Sequence, residues 1–590
     1  MKKFYLLSIV FMISSATFCQ TTVPGGWVSG TWNAAGSPYI VQGSIQAMTL
    51  TIQPGVDVRF QNGSGLTVWT WFKAQGTAAQ PIIFESDDTT GFANMSIPNG
   101  GTSGIYIYGN ATDSNIIDHC IIRDCKGLIN NNYAVCLGVY SGKLFLTNSE
   151  IYHNYISGTS YIVSVNLVPP LITNNIIHDN YGRGCGGIAI WQTSGLVSDN
   201  ELYGNSGNEG GAFFIVSAPD TVGPVITNNN IHHNRAYFDG GGIMLENGPV
   251  TISNNIIAYN RSARAGSGIY DLYASAKIIS NIVCNNTDSV YSNCGINDGG
   301  GGININNGNT PITCEVINNI VANNVSYFSG GGIRLCPNGA GSIIVENNTI
   351  VNNFSHSYFT GGLEIASGDH VSVRNNIIWG NRGLNTFSGS VDSVQVIMGA
   401  NDTVSFEYNC GEYSYLGGMI TNTGTQVNGN SASNIAVYGV DPGFVAVSGG
   451  YGDAFDGAAA DWHLTSQSVC YDSGNSFYLQ TPPQTDDVYG APRISGLLID
   501  IGAAEYQNVA GISEHISSDP GLYPDPVVDV LHVKDLSPFT DVFITNSLGQ
   551  IVSSVKYGNG VDVSSLVPGA YFISFRNDGG LKVNAPFLKN

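Results

Sequence analysis

The chain reads as an all-β protein: a parallel β-helix solenoid followed by a small C-terminal antiparallel β-sandwich. Three observations predict this. A seven-residue stretch opening and closing on Asn recurs through the middle of the chain. Apolar residues alternate between its copies, as in GGIML (241–245) followed by VTISNN (250–255). Residues 521–590 drop that rhythm for longer alternating segments separated by turn residues.

The stretch reads NNIIHDN at 174–180 and recurs as NSEIYHN (148–154), DNELYGN (199–205), NNNIHHN (228–234) and NNIIAYN (254–260). Further copies are SNIVCNN (280–286), NNIVANN (318–324), NNTIVNN (347–353) and NNIIWGN (375–381), with HCIIRDC (119–125) a degenerate first copy. From Asp124 to Asn381 the closing residues step by 30, 26, 25, 29, 26, 26, 38, 29 and 28 residues. A period of this length means stacked units. Ile, Val, Gly and Asn are poor helix formers or turn residues, so the unit is a coil of short strands. Strands within one coil cannot pair with one another. They pair with the same strands of the next coil, ~4.8 Å along the axis. An Asn at the same bend of every coil donates and accepts along the stack and tolerates left-handed backbone. The Asn columns are therefore read as structural.

Composition narrows the function classes. With 43 acidic against 21 basic residues the net charge is −22, which argues against phosphate binding and hence nucleic acid. Lys2 and Lys3, the apolar run 4–13 and small residues 14–16 read as a secretory signal over 1–19, cleaved after Cys19. Lipidation of Cys19 is the rival, which the bulky Phe18 fits poorly. No later run reaches the ~20 apolar residues of a membrane-spanning helix. Of 11 cysteines, removing Cys19 leaves ten, an even number that permits disulfides in a secreted chain. Buried thiols and staples between coils both stay open.

Residues 20–93 form entry coils. LTIQPGVDVRF (50–60), then AQGT (74–77) followed by PIIF (81–84), resemble the opening phrases of bacterial parallel β-helix proteins. Residues 94–410 are the repeats. Most coils carry a Gly cluster: CGGIAI (185–190), EGGAFFI (209–215), DGGGIML (239–245), DGGGGINI (298–305), SGGGIRL (329–335) and TGGLEI (360–365). Gly there supplies sharp bends and close approach between coils. The longest step carries an extra loop, 287–298, a candidate protrusion.

Residues 411–507 close the solenoid. DPGF (441–444), DWHLTSQSVCYDSGN (461–475), TDDVYGAPR (485–493) and DIGAAEYQ (500–507) resemble, in order and spacing, the closing segment of choice-of-anchor Q proteins. That family's usual Pro-Ala-Ile-Asp is here Val469-Cys470-Tyr471-Asp472. The resemblance implies a right-handed β-helix. Asp472, Asp486, Asp487 and Asp500 are candidate Ca2+ ligands, with turn capping the plainer role. Residues 508–520 read as a linker. In 521–590, YPDP (523–526), NSLGQIV (546–552), LVPGAY (566–571) and a basic end resemble the type A C-terminal sorting domain of the type IX secretion system of Bacteroidota, with Asp525 where that family usually has Asn. This implies export through the periplasm by that machinery, removal of the domain, then release or attachment to surface lipopolysaccharide. Asp220-Thr221-Val222, Asp288-Ser289-Val290, Asp392-Ser393-Val394 and Asp402-Thr403-Val404 resemble the O-glycosylation acceptor of the same phylum.

The function read from the chain is a secreted or surface-attached protein with a binding, adhesive or structural role, with an extracellular polysaccharide as candidate partner. The alternative is a polysaccharide lyase or glycoside hydrolase. The pairs Tyr237-Phe238, Tyr327-Phe328 and Tyr358-Phe359 precede Gly clusters; they either stack on sugar rings or cover the core at a bend. Glu209, Asp239 and Asp298 precede Gly clusters at places read as equivalent, and Glu209 with Asp239 is a candidate hydrolase pair. The 11 basic residues of the repeats are scattered, whereas a lyase needs focused cations. Arg334 and Glu364 are weaker catalytic candidates at matching positions of adjacent coils, where a stacked ion pair is the plain reading. His153, His178, His232 and His233 fall at bend-adjacent positions as a candidate metal-binding patch, interrupted at Tyr203, with solvent-facing histidines without a ligand the plainer reading.

Overall fold

A computed structural model describes residues 20–507 and 522–590, less short connecting segments of which those of five residues or more are 128–133, 290–297, 413–419, 479–484, 534–540 and 577–581. The expected signal (1–19) and linker (508–520) lie outside the described residues. Apart from two short 3-10 turns, the regular structure among the described residues is β.

Each coil follows one plan. In the coil beginning at Ile243–Glu246, the chain turns at Asn247 and Gly248, runs through Pro249–Ser253, bends at Asn254, and continues as Ile256–Ala258. It bends again at Tyr259, makes the two-residue strand Arg261–Ser262, and returns through a Gly-rich loop to Ile269–Leu272. Stacking produces a long sheet of 27 strands (two per coil), a middle sheet of 16 and a short sheet of 11, counted among the described residues. They pair in parallel, as the repeat requires, except that the short sheet ends on an antiparallel pair, Arg382–Leu384 with Val391–Ser393. Alternation sends Ile243, Leu245, Val250, Ile252 and Ile257 into one continuous core.

The Asn columns divide their labour. The residue at each bend is left-handed, and the Asn after it is buried and forms the ladder. At the bend from long to middle sheet the ladder runs through Asn175, Asn200, Asn229, Asn255, Asn281, Asn319, Asn348, Asn376 and Asn409. At the bend from middle to short sheet it runs through Asn154, Asn180, Asn205, Asn234, Asn260, Asn286, Asn324, Asn353 and Asn381. Left-handed geometry belongs to the preceding residues, such as His153, Asp179, Gly204, His233 and Tyr259 at the second bend.

One inward position is an acid. Asp271 stands in register between Leu245 and Ile305 and is fully buried. It accepts the Ala274 N–H at 2.8 Å, and burial pushes its carboxyl up to about 7. Burial does the same to Asp288, also to about 7, despite its bonds from Ser326 and the Tyr327 N–H. The folded state thus holds protons that the unfolded chain releases near pH 4. Stability is expected to fall as pH rises from about 4 to about 7 and then level off, by at most about 4 kcal/mol for a site shifted this far. Denaturation midpoints of Asp271→Asn against pH should show a flatter decline than the parent; an equal decline would remove Asp271 as a cause.

Residues 441–507 do not merely cap the last coil. They lie along the outer face of the middle sheet, where Phe444, Trp462, Leu464, Cys470 and Ile501 pack on Ala258, Cys284, Ile320, Val351, Ile377 and Cys410. The left-handed bend residues hold them there. Asn285 donates to Phe455 O and accepts the Gly457 N–H, Asn323 donates to Gly450 O and Gly452 O, and Asn352 donates to Ser448 Oγ. Asn375 exchanges two bonds with Asn475. The nine described cysteines are all buried free thiols. The C-terminal unit is antiparallel, a sheet of three strands and one of four around Val527, Leu531, Val542, Ile544, Ile573 and Phe587.

Candidate functional site

The lateral cover stops at Tyr259, whose hydroxyl donates to Asp456 at 2.6 Å. Toward the N-terminus the middle sheet is open. Its strands Cys120–Arg123, Glu150–Tyr152, Ile176–His178, Glu201–Tyr203 and Asn230–His232 place Arg123, Tyr152, His178, Tyr203 and His232 in register at an outward position. The four rings stack in a column with centroids 5.1, 4.7 and 5.2 Å apart and planes within 7°. Tyr203 therefore does not interrupt the histidines, contrary to the sequence expectation; it is the ring between them. Arg123 ends the column, donating to the Tyr152 hydroxyl and to Glu85. Carboxylates on the neighbouring strand of the preceding coil hold the imidazoles: Glu150 lies 3.1 Å from His178 Nε2 and Glu201 3.2 Å from His232 Nε2. Rings stacked on one another spend their faces internally, and the imidazole edges are held too: His178 Nδ1 lies 2.8 Å from Asp179 and His232 Nδ1 2.9 Å from His233 Nδ1.

The adjoining bend column runs Asp124, His153, Asp179, Gly204, His233, all left-handed. Gly204 brings no side chain, and a Cβ there would lie 2.6 Å from Asp179 Oδ1. A cavity of about 280 Å3 opens at this gap, lined among others by Phe92, His153, Tyr155, Asp179, Tyr181 and Ser206. His153 Nδ1 lies 2.7 Å from Asp124 Oδ1 and its ring stacks on Phe92, with centroids 4.7 Å apart. Tyr155 and Tyr181, first residues of successive short-sheet strands, stack at 4.5 Å.

The family described as Right handed beta helix region matches residues 72–222 and 186–378, together more than half of the chain. The chain belongs to this right-handed β-helix family. The Secretion system C-terminal sorting domain matches residues 521–587. This type IX sorting tail implies interaction with the secretion machinery and indicates secretion or cell-surface attachment. No curated protein matches the chain. Among the described residues no helix is long and apolar enough to cross a membrane.

In this right-handed β-helix the carboxylates chosen from the sequence are distributed differently. Gly299 pairs with Ala265, and the Gly240 N–H reaches Ala265 O, so Gly299, not Asp298, stands where Asp239 does. The run of four glycines had hidden a one-residue offset. Asp239 is buried and ion-paired with Arg264, and burial still pushes its carboxyl up to about 6. Glu209 lies one coil away with the Gly210 N–H on Asp239 O. Arg334 and Glu364 are Cα partners on adjacent strands and form a buried ion pair at 3.0 Å.

The aromatic pairs have partners of their own. Tyr237 carries the Arg235 guanidinium 4.9 Å from its ring, Phe238 that of Arg264 at 5.0 Å and Phe328 that of Arg334 at 5.9 Å. Tyr327 stacks on His356 at 4.0 Å. Tyr358 and Phe359 lie outside the described residues, as does most of the 287–298 loop. The closing-segment acids cap turns. Asp487 accepts the N–H groups of Tyr489, Ala491 and Glu505; Asp500 accepts those of Asp472 and Tyr506; Asp472 accepts that of Leu498. Asp486 meets Asn318 through its backbone carbonyl. Among the described residues no group of three or more His, Cys, Asp or Glu is arranged to hold a metal ion. Asp288, first residue of one acceptor-like tripeptide, is buried, while Ser289 beside it is exposed.

The sequence held an unread signal for the open region. The second-bend residue is Asn at Asn285, Asn323 and Asn352, where it grips the closing segment. It is His, Asp, Gly and His at 153, 179, 204 and 233, which no described residue of the closing segment bonds.

Proposed function

We propose that this is an extracellular glycan-binding protein whose ligand lies along the open half of the middle sheet and enters the cavity at Gly204. One observation carries the reading: the bend column changes from Asn to Asp, His and Gly where the lateral cover ends, and the cavity opens in that interval. An extended polymer fits a surface that repeats its polar ring edges every ~4.8 Å. Phe92, Tyr155 and Tyr181 supply apolar lining, with Asp179, Ser206 and His153 as hydrogen-bonding groups, the mixture that sugar recognition requires. The pairing of Asp239 with Arg264 and of Arg334 with Glu364 supports binding over hydrolysis at those residues. The closing segment is read as the choice-of-anchor Q kind, and residues 1–19 as the export signal that precedes type IX transport.

A second reading is favoured by His153. Its Nδ1 is held by Asp124 at the cavity wall, the orientation of an imidazole that takes or gives a proton through Nε2. On this reading the cavity degrades the glycan by elimination or hydrolysis. Affinity electrophoresis of the secreted protein in gels containing neutral and acidic polysaccharides, followed by assays for new reducing ends and unsaturated products, separates the two. Binding without turnover is expected, with Tyr181→Ala weakening retention about tenfold through loss of an aromatic contact. Unaltered retention in Tyr181→Ala would sink the cavity assignment; turnover lost in His153→Ala would establish the second reading.

A further inference from the structure

The short-sheet row that lines the cavity continues past it as Tyr155, Tyr181, Ser206, Arg235 and Arg261, each in register with the next. Arg235 and Arg261 are thus side-by-side like charges on neighbouring strands, an arrangement that costs stability. Both are exposed, and neither forms an ion pair among the described residues. Seven other arginines are neutralised: Arg59, Arg123, Arg264, Arg334, Arg374, Arg382 and Arg493 each pair with a carboxylate. Arg183, two residues past Tyr181, is likewise exposed and without an ion pair among the described residues. In a chain of net charge −22, carboxylates to neutralise this row are abundant, yet the fold leaves it bare. The nearest bend residue adds no negative charge: His233 stays neutral more readily than usual because of burial, His232 and Arg261. At the far end of the row Thr287 binds Asp453, which closes the basic stretch.

We infer that Arg235 and Arg261 form the seat for an anionic group of the glycan, a carboxylate or a sulfate ester, next to the cavity that takes its hydroxyl-bearing ring. This rests on the glycan reading above and names its chemical class. A guanidinium pair meets a planar or tetrahedral oxyanion through paired N–H groups, and Arg235 is already oriented by its stacking on Tyr237. Asp179 lies in the cavity rather than in the arginine row, so it faces the neutral part of the sugar.

The test titrates the full secreted chain with polygalacturonate, dextran sulfate and unsubstituted dextran, at low and high salt. The anionic polymers should bind more tightly than dextran, with an affinity that falls as salt rises. Arg235→Ala/Arg261→Ala should lose about tenfold on the anionic polymers and nothing on dextran. Arg235→Lys/Arg261→Lys should keep the salt dependence with an intermediate affinity. Both double variants change exposed side chains, and a melting temperature no lower than the parent's checks their fold, with the alanine variant gaining from the relieved repulsion. Polygalacturonate preferred over dextran sulfate identifies a carboxylate, and the reverse a sulfate. Dextran bound as tightly as the anionic polymers, or an alanine variant equal to the parent on them, overturns the anionic seat while leaving glycan binding intact. No binding to any of the three overturns both.

Discussion

Replacing Asn260 by Leu is expected to cost about 4 kcal/mol, because it strips several buried hydrogen bonds at once. Asn260 Oδ1 accepts both the backbone N–H and the side-chain Nδ2 of Asn234, each at 3.0 Å. Its own Nδ2 donates to Ile231 O at 2.9 Å and to Asn286 Oδ1 at 3.0 Å. Leucine leaves the Asn234 backbone N–H buried without its partner and takes one bond each from Asn234 Nδ2, Ile231 O and Asn286 Oδ1, while Asn234 Nδ2 keeps Leu202 O and His232 O; a buried orphan costs about 1–3 kcal/mol. The site is fully buried, so water cannot substitute. Asn230 belongs to the preceding copy of the stretch, 228–234, but points outward, and Asn230→Ala is expected to stay within about 0.5 kcal/mol of the parent. Chemical denaturation of the two variants checks this. Equal midpoints would mean that the ladder adds nothing to the stacking of the strands.

Gly211→Ala is expected to lose about 3 kcal/mol for a different reason, overpacking of backbone on backbone. An added Cβ would lie 2.1 Å from Gly241 O and 2.8 Å from Arg235 N, both main-chain atoms of the next coil. Neither can swing aside as a side chain would. The same column contains Gly241, whose Cβ would meet Ser267 O at 2.5 Å, and Gly361, at 2.2 Å from Arg382 O. Gly439 is the comparison: its φ is +66° but open space surrounds it. Gly439→Ala should therefore cost only about 1 kcal/mol of backbone strain. Thermal melts in which Gly439→Ala fell further than Gly211→Ala would show that left-handed backbone, and not coil spacing, fixes the glycines.

Much of the fold was legible because the repeat imposes it. A buried side chain that must bond its own copy in the next coil leaves Asn at a constant place, and so the period, the parallel pairing and the bends could be read. The alternation of Ile243 and Leu245 showed which side faced inward. Contacts between distant segments were not legible. Nothing local in 441–507 says that Trp462 and Ile501 pack along earlier coils, because the partners lie on strands such as Ile320–Ala322. The four glycines at 299–302 gave no side chain from which to count register, so Asp298 was placed one position late. The ring column escaped notice for a related reason. Tyr203 looked like a break in a series of histidines, whereas stacking asks only for a flat ring. The cavity was the hardest to see, since Gly204 marks it by a missing side chain.

The measurement that bears most directly on the central claim is hydrogen–deuterium exchange of the full secreted chain, with and without the polysaccharide it retains best. The account predicts protection confined to the segments around 152–155, 178–183, 203–206, 232–237 and 259–262. Protection centred instead on Tyr327 and Phe328, or on the closing segment at 486–500, would contradict it.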